Sequence, residues 1–518
     1  MKKNFRTKHR SLINLNIINK LRIYLILLIN FIDNRVFGED YTSKSIYGLT
    51  RSTLELFSRH IDKIGYLLIP IFALALRLNN YTIIPVHNAT ADEYAFAWAG
   101  WSLLHGKKPV AWTGLPVYPE GQLIIWRGNR YRIVSPWFDH PPLFALIIGF
   151  ASIVGGAPTM FDCALEYMRL PPIIFGTLST VLVYLLGSQF YKKSIGIIAA
   201  MFYATVPVIV ITNRLAVAEN MLTFLLLLAI YSTLRYTETI ETKYLWIVLI
   251  CAPIAILTKL IGLSVTIIVV IILISHNYRK ESVYIFLSGI FGIIIYLMYG
   301  FSLDWNLFVA VNTAQGERFT IHYKLFFDIL TRGSSITYSW IDGWVIFGWI
   351  SLAYSTIKDK KQILSIGAGI YLITVIFSSG FFAYYWYVFP LFPFLCIACG
   401  KYINDLMEHP NLVLFFIFFI SAWLLILVGI YSETYHPIVG NRAMSILIIR
   451  GIFSGVFGVY ILHFIFRGRR TKVISSATLV CLFLTYIALN TFIVIFAQDT
   501  LPLLAELSRY TYQGYERR

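Results

Sequence analysis

The chain has 518 residues, of which 58% are hydrophobic and only 13% charged, and its formal net charge is +17. Soluble domains carry about 25% charged residues, so this composition excludes an ordinary water-soluble enzyme. The positive charge does not point to nucleic acid, because the basic residues fall in alternate short loops between apolar runs. Five cysteines in so long a chain give no disulfide framework.

Residues 1–63 hold twelve Lys/Arg against five Asp/Glu and read as a basic cytoplasmic leader beside anionic lipid. The apolar part of residues 21–32 is short and lacks a small-residue cleavage site, so no cleavable signal peptide is expected. A first span at 65–78 then leads outward into a large loop over residues 80–168. Spans follow at 170–191, 195–211, 221–234, 244–257, 263–275 and 283–299. A second large outer loop covers residues 300–338. Beyond it lie spans at 340–354, 364–377, 388–399, 412–430, 446–466 and 473–496. This register gives about thirteen crossings and keeps the clusters at Lys192-Lys193, Arg279-Lys280 and Arg467-Gly468-Arg469-Arg470 on one side. The expected fold is therefore an all-α polytopic membrane protein with a cytoplasmic N-terminus. Residues 64–300 form its catalytic transmembrane module and 301–338 an outer loop or lid. Residues 339–497 form the C-terminal helices and 498–518 a short outer tail.

Within the first loop, His140-Pro141-Pro142 opens an apolar stretch to Val154 that is marginal as a crossing. It reads as an interfacial helix, for which prolines make a suitable start. A second interfacial helix is expected in the third outer loop, within 301–338. Residues 122–126 and 131–134 flank Gly128-Asn129 and read as a small hairpin, although an ordinary loop fits as well. Cys396 and Cys399, inside an apolar run, read as small helix-packing residues.

Adjacent carboxylates stand in Thr90-Ala91-Asp92-Glu93-Tyr94, where the chain leaves the first span. Such a pair at a membrane edge is costly unless solvated, paired or used in chemistry. The charge-derived topology places it on one face with Asp139, His140, Arg214, Glu219, Lys259, Glu317, Arg318, Arg332, Tyr384, Tyr385 and Tyr387. Carboxylates beside several cations suit a phosphate-bearing substrate and an acceptor to be deprotonated. Each residue also has a plainer reading. Asp92 fits a helix N-cap, His140 a cap before the prolines, and Lys259 a snorkelling lysine. Arg214 and Glu219 fit a local ion pair, and the tyrosines an interfacial aromatic belt. No Walker A, GxGxxG or DxD pattern is present, so no nucleotide, metal or other cofactor is expected.

The order of motifs resembles a known family. The acid pair after the first span precedes Phe138-Asp139-His140-Pro141-Pro142-Leu143, Tyr167-Met168-Arg169-Leu170-Pro171, Arg214 with Glu219, and Leu257-Thr258-Lys259. This resembles the C-type (GT-C) membrane glycosyltransferases, specifically the dolichyl-phosphate-mannose–protein mannosyltransferase superfamily with its bacterial aminoarabinose transferase. The likeness is strongest over residues 64–262, and Tyr387-Val388-Phe389-Pro390-Leu391-Phe392-Pro393 extends it. It implies sugar transfer, with inversion, from a polyprenyl or dolichyl phosphate donor on the extracytoplasmic face. The acceptor would be a protein, glycan or lipid, and mannose is the sugar the likeness favours. It implies Asp92 as general base, with Glu93 in support. His140, Lys259, Arg318 and Arg332 would meet the donor phosphate, and Asp139, Arg214, Glu219 and Tyr387 would position the acceptor. The chain departs from the family at His140, where relatives often carry lysine, at Glu219, where many have aspartate, and at Trp386, where Arg or Lys is common. An oligosaccharyltransferase is a rival reading, but its Trp-Trp-Asp-Tyr-Gly motif is missing. A transporter or flippase of lipid-linked sugars is the alternative from another class; it would carry charges near mid-span and repeat symmetry.

Overall fold

The computed structural model describes residues 64–87, 89–106, 108–119, 121–317, 329–330, 343–358, 362–378, 385–424 and 442–497. The leader 1–63, the tail 498–518, Arg318, Arg332 and Tyr384 lie outside them.

Among the described residues the chain is helical apart from one small three-stranded sheet. Apart from Val206 and the span ends at Tyr191 and Gly343, the described residues of the expected spans are helical. Four helices are long and apolar enough to cross a membrane by length and composition: Leu165–Phe190, Arg279–Leu303, Trp386–Glu408 and Arg470–Phe496. Crossing the hydrocarbon takes about 20 residues, and eight further apolar helices have only 10–17. One expected span is corrected outright. Residues 195–211 form two helices, Lys193–Thr205 and Pro207–Thr212, broken at Val206 with ψ 121°. Pro207 is the cause, since its ring disfavours the helical region for the residue before it.

The elements that carry the outer loop can be labelled in chain order. Helix α1 spans Ile69–Leu78 and α2 spans Asp92–Gly106. Strands β1 (Ala111–Trp112), β2 (Gln122–Trp126) and β3 (Asn129–Val134) follow. Helix α3 is Pro142–Val154, with Pro141 in an extended conformation ahead of it, and so begins where the double proline places it. Helix α4 is Leu165–Met168, α5 is Leu170–Phe190, and the broken pair Lys193–Thr205 and Pro207–Thr212 are α6 and α7.

Helices α2 and α3 run parallel. Phe96 meets Phe144 edge to face at 5.0 Å, and one turn later the backbones themselves touch. A Cβ on Gly100 would stand 1.7 Å from the Ala145 carbonyl oxygen, and one on Gly149 would stand 2.2 Å from the Gly100 carbonyl carbon. Only glycine permits that approach. Farther along, the Trp101 indole donates to the Ala157 carbonyl at 3.0 Å.

The sheet has the order β1-β3-β2, both pairings antiparallel, with Ile124 opposite Tyr131 and Ile125 opposite Arg130. The hairpin expected around Gly128-Asn129 is present. Arg127 and Gly128 both have positive φ, 48° and 80°, the backbone that two-residue hairpin turns require. The inner face of the sheet packs on α2. The Trp126 ring meets Tyr94 at 4.7 Å and Trp98 at 5.2 Å. The Trp112 indole donates to the Ala91 carbonyl at 2.7 Å, fixing the turn from which α2 starts.

Behind this outer layer lies a bundle centred on α8, Ala218–Thr239, which packs against α5 and against α9, Thr242–Thr258. Helix α9 also touches α3, so the outer layer rests directly on the bundle.

Candidate active site

The two adjacent carboxylates have different surroundings. Glu93 is fully buried and held from two sides. Arg169, at the junction of α4 and α5, donates Nε to Oε1 at 2.9 Å and Nη2 to Oε2 at 2.8 Å. The Ala216 amide adds a third bond to Oε1 at 3.0 Å. Arg169 also donates to the carbonyls of Tyr81 and Pro85, both at 2.7 Å. The three bonds to Glu93 hold the buried carboxylate inside the protein. Its work is to tie the first turn of α2 to α5 and to the segment before α8. Asp92, one residue earlier, is half-buried, and its amide donates to the Thr90 hydroxyl at 3.2 Å. It lies in the first turn of α2.

The second cluster is Glu219, Lys259 and Tyr387. Glu219 lies in the first turn of α8, and Lys259 is the extended residue that ends α9. The Lys259 ammonium pairs with Glu219 Oε1 and sits 4.1 Å from the centre of the Tyr387 ring. Glu219 Oε2 has no partner among the described residues. Burial alone would lower the Lys259 pKa. Glu219, Tyr387 and Asp92 outweigh it and hold the group above the ordinary lysine value. Asp92 is thus close enough to act on the Lys259 charge, which joins the first loop to the bundle.

The third group is Asp139 and His140, just before α3. Asp139 accepts from the Thr113 hydroxyl and the Tyr118 hydroxyl, both at 2.7 Å. Tyr118 in turn accepts from the Phe138 amide at 2.8 Å. Burial and then the Asp139 carboxylate push the Tyr118 pKa far up, so the phenol stays a donor. The Gln315 amide reaches the Asp139 carbonyl at 3.3 Å from helix Trp305–Gly316 in the third outer loop. The His140 ring stacks on Phe96 at 5.2 Å. Phe96 is four residues after Asp92, on the same side of α2, so His140 stands one turn along from that carboxylate.

Arg214 is placed differently from the local pairing with Glu219. It is fully buried and donates to the carbonyls of Arg77 at 3.1 Å, Leu76 at 2.8 Å and Ile84 at 3.0 Å. It clamps the end of α1, while Glu219 pairs with Lys259. The structure therefore brings Glu219, Lys259 and Tyr387 together, stacks His140 on the α2 ring one turn after Asp92, and keeps Glu93 and Arg214 in the frame. Arg318 and Arg332 fall outside the described residues. Two framework residues received no role from the sequence, Arg169 and Arg77. Arg77 donates to Asn213 Oδ1 through Nε at 3.1 Å and Nη2 at 2.8 Å. An arginine near the end of an apolar run was the available signal for Arg77.

Residues 139–299 match the family model described as dolichyl-phosphate-mannose-protein mannosyltransferase. The motif order read from the sequence thus resembles the membrane glycosyltransferase superfamily to which that model belongs. No curated protein matches the chain significantly. Among solved structures the chain is similar to ArnT from Cupriavidus metallidurans bound to undecaprenyl phosphate, with 12% identity and a TM-score of 0.49, covering 83% of this chain and 78% of that one. It is also similar to the archaeal oligosaccharyltransferase AglB from Archaeoglobus fulgidus in complex with an inhibitory peptide and a dolichol-phosphate. There the identity is 12% and the TM-score 0.43, over 75% of this chain and 56% of that one. For arabinosyltransferase EmbB from Mycobacterium smegmatis the values are 11% and 0.42, over 82% and 41%.

Proposed function

We propose that the chain is an integral membrane glycosyltransferase that moves a sugar from a polyprenyl or dolichyl phosphate donor to an acceptor hydroxyl. The family-model match over residues 139–299 supports the reaction class. The observation that carries the site is the buried Lys259 ammonium, held by Glu219 and the Tyr387 ring, with Asp92 among the carboxylates whose charge acts on it.

The chemistry follows from Lys259 and Asp92. The acceptor oxygen attacks the anomeric carbon and the bond from that carbon to the phosphate oxygen breaks. Asp92 takes the acceptor proton, and the departing lipid phosphate carries away the electron pair. Lys259 would stabilise that phosphate, with His140, Arg318 and Arg332 as further phosphate-binding candidates. Glu219 and Tyr387 hold the Lys259 side chain in place. Asp139 orients His140 through the Thr113 and Tyr118 bonds, and Glu93 and Arg214 fix the backbone that presents Asp92. In this reading the reaction inverts the anomeric carbon on the extracytoplasmic face, about thirteen crossings carry the chain, and mannose is the first donor to test. Protein, glycan and lipid acceptors all fit.

The test is to incubate the purified protein with synthetic polyprenyl-phosphate mannose and a panel of acceptors, alongside Asp92→Asn. Transfer by the wild type and its loss in the variant is the expected result. Equal turnover by the variant removes Asp92 as base. Movement of the lipid-linked sugar across a vesicle wall without transfer would replace the reading with a flippase.

A further inference from the structure

Strand β2 of the hairpin is apolar on both faces but covered on only one. Antiparallel sheets with one wet face normally alternate apolar and polar residues. Strand β2 reads Gln-Leu-Ile-Ile-Trp instead. Its inner residues Ile124 and Trp126 pack into the core with Tyr131 and Ile133. Its outer residues Leu123 and Ile125 are 74% and 76% exposed. Directly across from them on β3 stand Arg132 and Arg130, and Arg127 occupies the turn. The outer face is therefore an apolar stripe alongside a guanidinium stripe. Residues 121–134 contain three arginines and no acidic residue. Arg127, in the turn, lies over the inward-facing Trp126 ring at 4.6 Å and does not join the guanidinium stripe, while Arg132 donates to the Leu115 carbonyl at 3.1 Å.

From this arrangement we propose that the outer face of the hairpin docks on the anionic phospholipid headgroups of the bilayer that holds the protein. The two stripes match the two components of such a surface: short apolar side chains enter the headgroup boundary while arginines meet phosphates. The rest of the same loop agrees, since Phe150 and Val154 on α3 are exposed apolar residues on a helix that rests against the bundle. The inference depends on a membrane location and is independent of sugar transfer.

The experiment uses the full chain in lipid nanodiscs with Cys481, the exposed cysteine, replaced by serine; the other four cysteines are buried. Ile125→Cys is labelled with the environment-sensitive fluorophore NBD, and the lipid carries a shallow spin-label quencher. In discs containing phosphatidylglycerol the probe should shift to the blue and be quenched. Arg130→Gln should lower that signal about fivefold, the preference that one arginine near an anionic surface contributes. Retained protection of the buried thiols shows that each variant is folded. Water-like emission in every bilayer overturns the proposal. Equal quenching in purely zwitterionic discs overturns the anionic assignment. A blue shift that appears only with added acceptor peptide assigns the face to a peptide instead.

Discussion

Replacing Arg169 by methionine should damage the protein far more than an arginine at a loop–helix junction would suggest. The substitution removes both bonds to Glu93 and those to the Tyr81 and Pro85 carbonyls. Glu93, fully buried, would keep only the Ala216 amide on Oε1, and Oε2 would lose its donor. Breaking a buried pair from one side costs about 3–5 kcal/mol, because the remaining charge is left without compensation. The double variant Glu93→Leu with Arg169→Met removes that charge as well. It then lacks partners only for the Ala216 amide and the two carbonyls, about 1 kcal/mol each. The double variant should therefore be more stable than Arg169→Met alone. Accessibility of the four buried thiols during denaturation, in a Cys481→Ser background, reports unfolding directly. Two results would refute the reasoning: an Arg169→Met protein that unfolds with the wild type, or a double variant no more stable than the single.

Asp92→Asn should leave thiol protection unchanged and lower sugar transfer by about 10²–10⁴-fold, the range for losing a positioned base. Lys259→Met strips Glu219 Oε1 of its ammonium partner, so it should destabilise by about 3–5 kcal/mol. Adding Glu219→Gln should restore stability without restoring turnover, which the thiol assay and a transfer assay separate. Gly100→Ala forces α2 and α3 apart and should cost about 1–3 kcal/mol by overpacking. Gly106→Ala, at the open end of the same helix with nothing within 4 Å, should be silent in the same unfolding measurement.

Features set by local chemistry were legible in the sequence. The hairpin follows from Gly128-Asn129 between two short apolar runs, and α3 from prolines that cannot lie deeper in a helix. The break at Val206 was equally local, but the apolar run across Pro207 concealed it. What spacing could not supply were partners chosen by the tertiary fold. Glu93 finds Arg169 at a separation of 76 residues, and Arg214 reaches a carbonyl 137 residues away instead of Glu219 nearby. A buried guanidinium seeks whatever acceptors the packing delivers, and backbone carbonyls at a helix end leave no mark in the side-chain pattern. The meeting of Glu219 with Lys259 was hidden in the same way, since the sequence offered Glu219 a nearer arginine. The different surroundings of Asp92 and Glu93 were not legible either, since adjacent residues on a helix point to different sides.

The parallel course of α2 and α3 also accounts for the sheet between them. Antiparallel neighbours need only a tight turn, but here the chain must travel back along the 15 residues of α2, about 22 Å, before α3 can begin. Strands β1 to β3 are that return path. A route built from paired strands has a set length, whereas a loose connection would let one helix slide along the other. Each Trp112 and Tyr118 bond pins a point on this route to one of the two helix starts. The spacing between Asp92 and His140 is therefore gauged by the sheet, and an insertion in it would offset one from the other without touching either residue.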